Sequence, residues 1–205
     1  GAGSLGLHCQ NVDAPDHTPV DNWVTVDLPT DYATVDVALV DVDGDGHVDV
    51  AHGHADGVEF FSMDDPTANQ KFRAWSRRHA LAVADFQGFA FGDVDGDGWP
   101  DMATATSTGI VSWRAAYGAR DTIEWEAGSD AGFGTSVSMS ADGATVAVGA
   151  RGHGFVQVLD WDPDADEGAG SYVLRGDPGD STIVDPTCDV SPCVDGGGFG
   201  SVVSL

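Results

Sequence analysis

The chain has 205 residues and a formal net charge of −26 at pH 7, from 34 acidic and 8 basic residues. Nucleic acids and anionic membranes are therefore poor partners, because their charge would be repelled. No stretch reaches the roughly 20 apolar residues of a transmembrane helix. The acidic excess is best explained by solubility in a saline habitat, and weak additional cation binding is the alternative.

Residues 1–32 are expected to form the outer strand or strands of a preceding repeat, or an N-terminal extension. Residues 23–28, Trp-Val-Thr-Val-Asp-Leu, have the β-prone composition of a strand. Cys9 lies in this segment, and we expect it to pair with a segment not present here or with another chain.

An acidic nine-residue pattern, Asp-Val-Asp-Gly-Asp-Gly-His-Val-Asp, occupies residues 41–49. Carboxylates at positions 1, 3, 5 and 9 and a backbone carbonyl at position 7 are oxygen ligands of the kind that calcium binds, about six to eight at a time. Carboxylates within about 4 Å repel by roughly 1 kcal/mol per pair even in water, so the pattern favours a bound cation. An acidic surface turn is the alternative. The expected ligands are Asp41, Asp43, Asp45, the carbonyl of His47, and Asp49.

The flanks of this loop predict strands. Residues 37–40 and 48–51 are short β-prone runs bounded by Gly and Asp, and residues 57–61 predict a further strand. An EF-hand needs a Glu at position 12 of its loop, where this chain has His52. We therefore expect the calcium site in the connection of a β-hairpin.

Three histidines, His47, His52 and His54, lie in or after this loop. A strand would place His52 and His54 on one face, which is compatible with zinc or copper. Because no fixed zinc-site spacing is met, we favour solvated loop histidines beside the calcium site.

The acidic pattern returns at residues 93–101 as Asp-Val-Asp-Gly-Asp-Gly-Trp-Pro-Asp, between β-prone residues 89–91 and 102–105 and before a strand at 109–113. This recurrence with the same flanks strengthens the calcium interpretation. Among the six tryptophans, Trp99 is expected to be exposed, and most of the others to pack between sheets rather than form a sugar-stacking surface. The expected ligands are Asp93, Asp95, Asp97, the carbonyl of Trp99, and Asp101.

A third copy, residues 133–150, repeats the strand, the Asp-Gly turn and the strand, and residues 154–159 supply the next strand. Aligned on Asp142, it has Ser138, Ser140 and Val146 where the second copy has three of its carboxylates. One carboxylate is too little charge for a hard divalent ion, so we expect hydrogen bonds to close this turn without a metal.

Cysteine usage is compatible with an oxidising compartment. Cys188 and Cys193 flank a short Pro-containing turn, so a local disulfide between them is expected. A metal site there is less favoured, since no histidine or further cysteine lies nearby.

The turn glycines Gly46, Gly98 and Gly143 are 52 and 45 residues apart, the length of a four-stranded propeller blade. The chain resembles the FG-GAP repeats of integrin α-subunit-like β-propellers over roughly residues 33–205. The third copy carries Phe133-Gly134 and a Val-Gly-Ala run ending at Ala150, although Arg151 stands where the family has proline. The first two copies resemble the calcium-bearing bacterial variety.

This resemblance implies an all-β fold of four-stranded antiparallel propeller blades. The expected blades are residues 33–85 and 86–129, both with calcium loops, residues 130–195 without one, and residues 196–205 as the start of a further blade. Such propellers need at least four blades. We therefore expect the chain to belong to a longer protein, an oligomer or a filament.

No catalytic motif is found, so an enzyme is not expected. The function that the resemblance implies is that of a secreted, extracellular or cell-surface propeller, stabilised by two calcium ions, that mediates adhesion or assembly with a protein partner or neighbouring subunit. The alternatives are an accessory propeller of a larger secreted enzyme and a glycan-binding lectin.

Overall fold

The computed structural model describes residues 5–10, 23–64, 75–114, 118–124, 132–152, 154–165, 170–175, 182–184 and 203–205. These residues form antiparallel β-sheets without a helical element, which confirms the all-β prediction. The chain divides into two compact units, Gly1–Ala82 and Val83–Leu205. Among the residues described, no helix has the length and apolar character needed to cross a membrane.

The first unit contains a two-stranded and a four-stranded sheet. The smaller one pairs β1 (Gly6–Gln10) with β2 (Trp23–Asp27). The larger one is a meander in chain order, made of β3 (Thr34–Val40), β4 (Asp49–His54), β5 (Gly57–Met63) and β6 (Trp75–Ala82). Every residue of β4 is buried, so both faces of this strand are covered.

The second unit contains a four-stranded and a five-stranded sheet. One is a meander of β7 (Phe86–Gly92), β8 (Asp101–Thr106), β9 (Gly109–Arg114) and β10 (Gly118–Glu124). The other has the order β11 (Phe133–Met139), β12 (Thr145–Ala150), β13 (Phe155–Asp162) and β14 (Ser171–Leu174), with β15 (Thr182–Val184) paired to another part of β13.

Apolar side chains of the β7–β10 and β11–β14 sheets form one core in the second unit. The core contains small residues of β8, Ala103 and Ala105, together with larger side chains such as Val148 and Leu159. The Tyr172 hydroxyl is buried in this core and donates a hydrogen bond to the Gly143 carbonyl (2.6 Å). Burial raises the pKa of Tyr172. The phenol therefore stays protonated and fixes the turn before β12 to β14.

The two sheets approach each other closely where the second acidic loop meets the turn of the third copy. A Cβ on Gly92 would lie 2.6 Å from the Ser140 carbonyl oxygen, and one on Gly143 would lie 2.6 Å from the Cα of Val94. The Asp93 N–H donates to the Ala141 carbonyl across this contact (3.3 Å). The backbone of the acidic loop is thus part of the sheet–sheet interface.

The strands expected around the three turns are all present, at β3–β5, β7–β9 and β11–β13. The strand expected at 23–28 is β2, which pairs with β1. The further blade expected at 196–205 lies mostly outside the described residues. Its last part, 203–205, carries no strand, and the Leu205 N–H donates to Ser138 Oγ (3.0 Å). The blade boundaries stay predictions, as do the disulfide of Cys188 and Cys193, which lie outside the described residues, and the pairing of Cys9.

The close approach at Gly92 predicts that adding one methyl group there destabilises the second unit. Gly92→Ala should lower the free energy of unfolding of the second unit by about 1–3 kcal/mol, because backbone must move to admit the Cβ. Gly46→Ala is the control: its φ is +82° but its Cβ would meet nothing within 4 Å, so about 1–2 kcal/mol of backbone strain is expected. Urea unfolding in chelator measures both, and a Gly92→Ala variant as stable as wild type would contradict the packing.

Candidate metal centres

The connection between β3 and β4 gathers three aspartate carboxylates. One oxygen each from Asp41, Asp43 and Asp49 lies within 4.8 Å of the others. Asp41 follows the last residue of β3 and Asp49 is the first residue of β4, so the paired strands bring the two ends of the loop together. Asp43 then reaches the same point from the loop between them.

Backbone N–H groups hold these carboxylates in place. Gly44 and Gly46 donate to the two oxygens of Asp41 (2.8 and 2.9 Å), and the Val42 N–H donates to Asp49 Oδ2 (3.0 Å). The φ values of Gly44 and Gly46, +70° and +82°, are those that glycine adopts without steric cost. The loop is therefore folded around its own carboxylates.

The connection between β7 and β8 repeats this geometry. Oxygens of Asp93, Asp95 and Asp101 lie within 4.8 Å of one another. The N–H of Gly98 donates to Asp93 Oδ2 (3.0 Å) and that of Val94 to Asp101 Oδ2 (2.9 Å). These are positions 6 to 1 and 2 to 9 of the pattern, the same pairs as in the first loop. The repeated sequence thus gives a repeated local structure.

The cluster chemistry fits a hard cation. Asp49 and Asp101 are each only 2% exposed. Burial raises the pKa of Asp49, and the nearby charges of Asp43 and Asp45 raise it further. In the second loop, Asp93 Oδ1 is buried and has no hydrogen-bond partner among the described residues. Buried carboxylate oxygens without donors are stabilised when a metal ion is their partner.

The remaining predicted ligands lie at positions 5 and 7. The carboxylates of Asp45 and Asp97 are outside the two clusters of three and accept hydrogen bonds from the N–H groups of His47 (2.7 Å) and Trp99 (2.8 Å). Ligation by these aspartates and by the His47 and Trp99 carbonyls stays a prediction. The Trp99 side chain is 42% exposed, as expected from its place in the loop.

The second cluster has a built-in counter-ion that sequence reasoning missed. Arg114, at the end of β9, donates from Nη1 to Asp95 Oδ2 (2.8 Å), and its guanidinium lies 4.9 Å from the centre of the Trp161 ring. Phe61 pairs with β4 at the position where Trp113 pairs with β8. The next residue is Ser62 beside the first cluster and Arg114 beside the second. The two clusters therefore differ by one positive charge.

Hydrogen bonds close the turn of the third copy, as expected. Asp142 Oδ1 accepts from the Ser140 hydroxyl (2.6 Å) and from the Ala144 N–H (3.1 Å), and Ser140 Oγ accepts from the Thr145 N–H (3.0 Å). The hydrogen bond from Ser140 is the main reason that the pKa of Asp142 is lowered. Asp142 thus accepts from the N–H two residues further on, as Asp45 and Asp97 do in the other two loops.

The interpretation of the histidines as solvated loop residues is wrong for two of them. His47 is exposed, but His52 and His54 lie on the buried strand β4, 0% and 5% exposed. Tyr32 stacks on His54, with ring centroids 3.9 Å apart. Polar histidines alternate with small residues in β4, so its sequence does not indicate that the whole strand is buried. In the described part of the chain, neither group of three or more candidate metal ligands contains a histidine.

His52 belongs to a buried polar network centred on Glu59 of β5. Glu59, only 1% exposed, accepts hydrogen bonds from Thr30 Oγ1 (2.8 Å) and Arg77 Nη1 (2.6 Å), and His52 Nδ1 lies 3.4 Å from Glu59 Oε2. Burial alone would raise the pKa of Glu59, but the hydrogen bonds from Arg77, Thr30 and His52 outweigh it and lower the pKa. No local sequence signal marks this network, since its four members come from four segments, the connection before β3 and the strands β4, β5 and β6.

No protein-family model matches the chain, and no curated protein matches it either. The FG-GAP resemblance therefore depends on the residues and their spacing.

The Glu59 network predicts a specific acid sensitivity. A carboxyl group whose pKa is lowered on folding contributes stability above its ordinary pKa and loses it as the pH falls through the lowered value. Glu59→Gln should cost about 1–3 kcal/mol at pH 7, because Arg77 and Thr30 lose a charged partner. The difference from wild type should shrink with falling pH. Asp56→Asn, at an exposed turn, is the control, and a gap that is constant with pH would contradict the role of ionised Glu59.

Proposed function

We propose that each aspartate cluster binds one calcium ion, and that the two ions stabilise the β3–β4 and β7–β8 hairpins. The observation that carries the proposal is the convergence of three carboxylates within 4.8 Å, at the same three positions of two loops. The donors are all oxygen, which disfavours zinc and copper. Magnesium usually keeps several waters, whereas closely spaced carboxylates in a flexible loop suit calcium.

Aspartates at both ends of each loop would hold the ion. Asp41 and Asp49 border the first loop, so a shared cation ties the end of β3 to the start of β4. Asp93 and Asp101 have the same relation to β7 and β8. The bound ion would supply positive charge that turns mutual repulsion of the carboxylates into attraction.

We further propose that the four-stranded sheets are blades of an FG-GAP-type, integrin-like β-propeller. Three antiparallel meanders follow one another in the chain, and each acidic loop connects the first two strands of its sheet. Within the second unit, two such sheets share one apolar core, and β11 of one contacts β7 and β8 of the other. These features support the proposal, because propeller blades have this strand order and bury their faces against neighbouring blades.

The biological role that we propose is adhesion or assembly outside the cell. It is supported by an exposed apolar face on β3, formed by the alternating side chains Val35, Val37 and Leu39, which are 48%, 45% and 67% exposed. Contiguous apolar side chains at a protein surface are typical of interaction sites. The face would be covered by a further blade or a neighbouring copy. An accessory role in a larger secreted enzyme would use the same contacts.

Calcium removal should destabilise the protein. At free calcium about a hundredfold above Kd, one bound ion stabilises the folded state by about 2.7 kcal/mol, so chelation should lower the Tm by several degrees. Asp43→Ala and Asp95→Ala should each lose part of this calcium-dependent shift. Asp142→Ala, in the hydrogen-bonded turn, is the matched control and should keep the whole shift. Differential scanning calorimetry measures the Tm of each variant with calcium and with chelator. An equal Tm of the wild-type chain under both conditions would contradict the proposal.

The counter-ion Arg114 should weaken calcium binding at the second loop. In a chain that carries Asp43→Ala, so that only the second loop binds, Arg114→Ser should raise calcium affinity about fivefold, corresponding to roughly 1 kcal/mol for a partly exposed ion pair. The same serine substitution in a chain with Asp95→Ala should leave the first loop unchanged. Unaltered affinity at the second loop would show that Arg114 does not compete with the ion.

The β3 face should mediate self-association of this chain. Sedimentation should show a mass that rises with concentration in the micromolar range, and Leu39→Asp should abolish the rise without changing the Tm, since Leu39 is outside the core. Val173→Asp replaces an exposed apolar residue of the second unit and is the control. A wild-type chain that stays monomeric throughout would contradict the assembly role of this face.

A further inference from the structure

A cleft on the first unit is unconnected with the aspartate clusters. It has a volume of about 450 Å³ and is lined by Pro29, Asp31, Tyr32, Trp75, Ser76 and Arg77. Small-molecule sites are commonly clefts of about 300–1,000 Å³ with aromatic walls and a few polar groups. This cleft combines two aromatic rings with a guanidinium, a carboxylate and a hydroxyl. It therefore has the composition of a binding site.

The guanidinium of Arg77 is fixed before any ligand arrives. Its Nη1 donates to the buried carboxylate of Glu59 (2.6 Å), which Thr30 Oγ1 holds from the other side (2.8 Å). The Arg77 side chain is still 53% exposed, and a guanidinium has five N–H donors, of which this contact uses one. The buried Glu59 thus acts as a positioning residue, and N–H groups of Arg77 are left to face the cleft.

The aromatic wall is fixed as well. The Tyr32 ring lies parallel to the buried His54 ring, at 8° and 3.9 Å between centroids, and its side chain remains 40% exposed. Trp75 packs partly against the core of Leu28, Val50 and Phe61. Rings held in this way cost little conformational entropy when a ligand packs against them.

The lining selects the chemistry of the ligand. An anion would be repelled by Asp31 and by a chain with a net charge of −26. A cation would be attracted by Asp31, but it offers no acceptor for the N–H groups of Arg77 that line the same cleft. A purely apolar molecule would bury the Asp31 carboxylate without a donor. A neutral sugar avoids these costs, because its C–H face packs on aromatic rings while its hydroxyls donate to Asp31 and accept from Arg77.

We propose that this cleft binds a neutral carbohydrate, with Tyr32 and Trp75 as the stacking surface and Asp31 and Arg77 as the hydrogen-bonding groups. Ser76 can contribute only as an acceptor while its hydroxyl donates to Asp64 Oδ2 (2.9 Å). The site goes beyond the proposed calcium and assembly function, and it involves none of the aspartates of the two loops.

Titration calorimetry of the full chain in calcium-containing buffer tests the proposal with five probes: cellopentaose, maltopentaose, mannopentaose, chitopentaose and the anionic pentagalacturonate. At least one neutral sugar should bind, and pentagalacturonate should not. Tyr32→Ala and Asp31→Ala should each weaken binding about tenfold. Both residues are exposed, so these variants should fold, which circular dichroism checks. Leu174→Ala, at an exposed apolar residue of the second unit outside both acidic loops, is the control and should bind like wild type.

The proposal would be overturned by no heat from any neutral sugar at millimolar concentration, by tighter binding of pentagalacturonate than of the neutral sugars, or by sugar binding that survives both Tyr32→Ala and Asp31→Ala. A loss of binding with Leu174→Ala would also overturn it, because it would place the sugar on the second unit. None of these outcomes depends on the metal occupancy of the loops, which separates this test from that of calcium binding.

Discussion

Repulsion among carboxylates is the constraint on which the two acidic hairpins depend. Three oxygens held within 4.8 Å cost free energy that grows as water is excluded, and Asp49 and Asp101 are almost fully buried. Backbone N–H groups offset part of this cost in both loops. In the second loop, the ion pair of Arg114 with Asp95 offsets more. A divalent cation would offset the rest, and the hairpins would then be held at their ends by ligation as well as by strand pairing.

In the second unit, the acidic loop also packs against the neighbouring sheet. Gly92 and Val94 lie against the turn of the third copy so closely that a single Cβ would clash with backbone. A change of the acidic loop on the proposed metal binding would therefore act on the neighbouring sheet through packed backbone atoms. The third turn, closed by Ser140 and Asp142 hydrogen bonds, supplies a fixed surface for that contact. The acidic loop and the hydrogen-bonded turn of the third copy therefore pack against each other.

Sequence reasoning reached the features that are local in the chain. The Asp-Gly pattern and its β-prone flanks are enough to predict β3–β5 and β7–β9 and the carboxylates that converge between them, because neighbouring residues set turn geometry. It also predicted that hydrogen bonds close the third turn. The outer strands β6, β10 and β14 were expected only as the fourth strands of the blades that the resemblance implies, because no comparable turn signal locates them, and β15 was not predicted. Arg114 is 19 residues from Asp95, and Thr30, Glu59 and Arg77 meet only through tertiary structure. Sequence spacing therefore does not predict these ion pairs and hydrogen bonds.

The central claim is that each aspartate cluster is a calcium site, and binding stoichiometry tests it most directly. Titration calorimetry of calcium into chelator-stripped protein should give two ions per chain, one ion for Asp43→Ala and for Asp95→Ala, and none for the double variant. Magnesium at equal concentration should compete poorly. A stoichiometry of two that persists in the double variant, or no saturable calcium binding by the wild-type chain, would contradict the account.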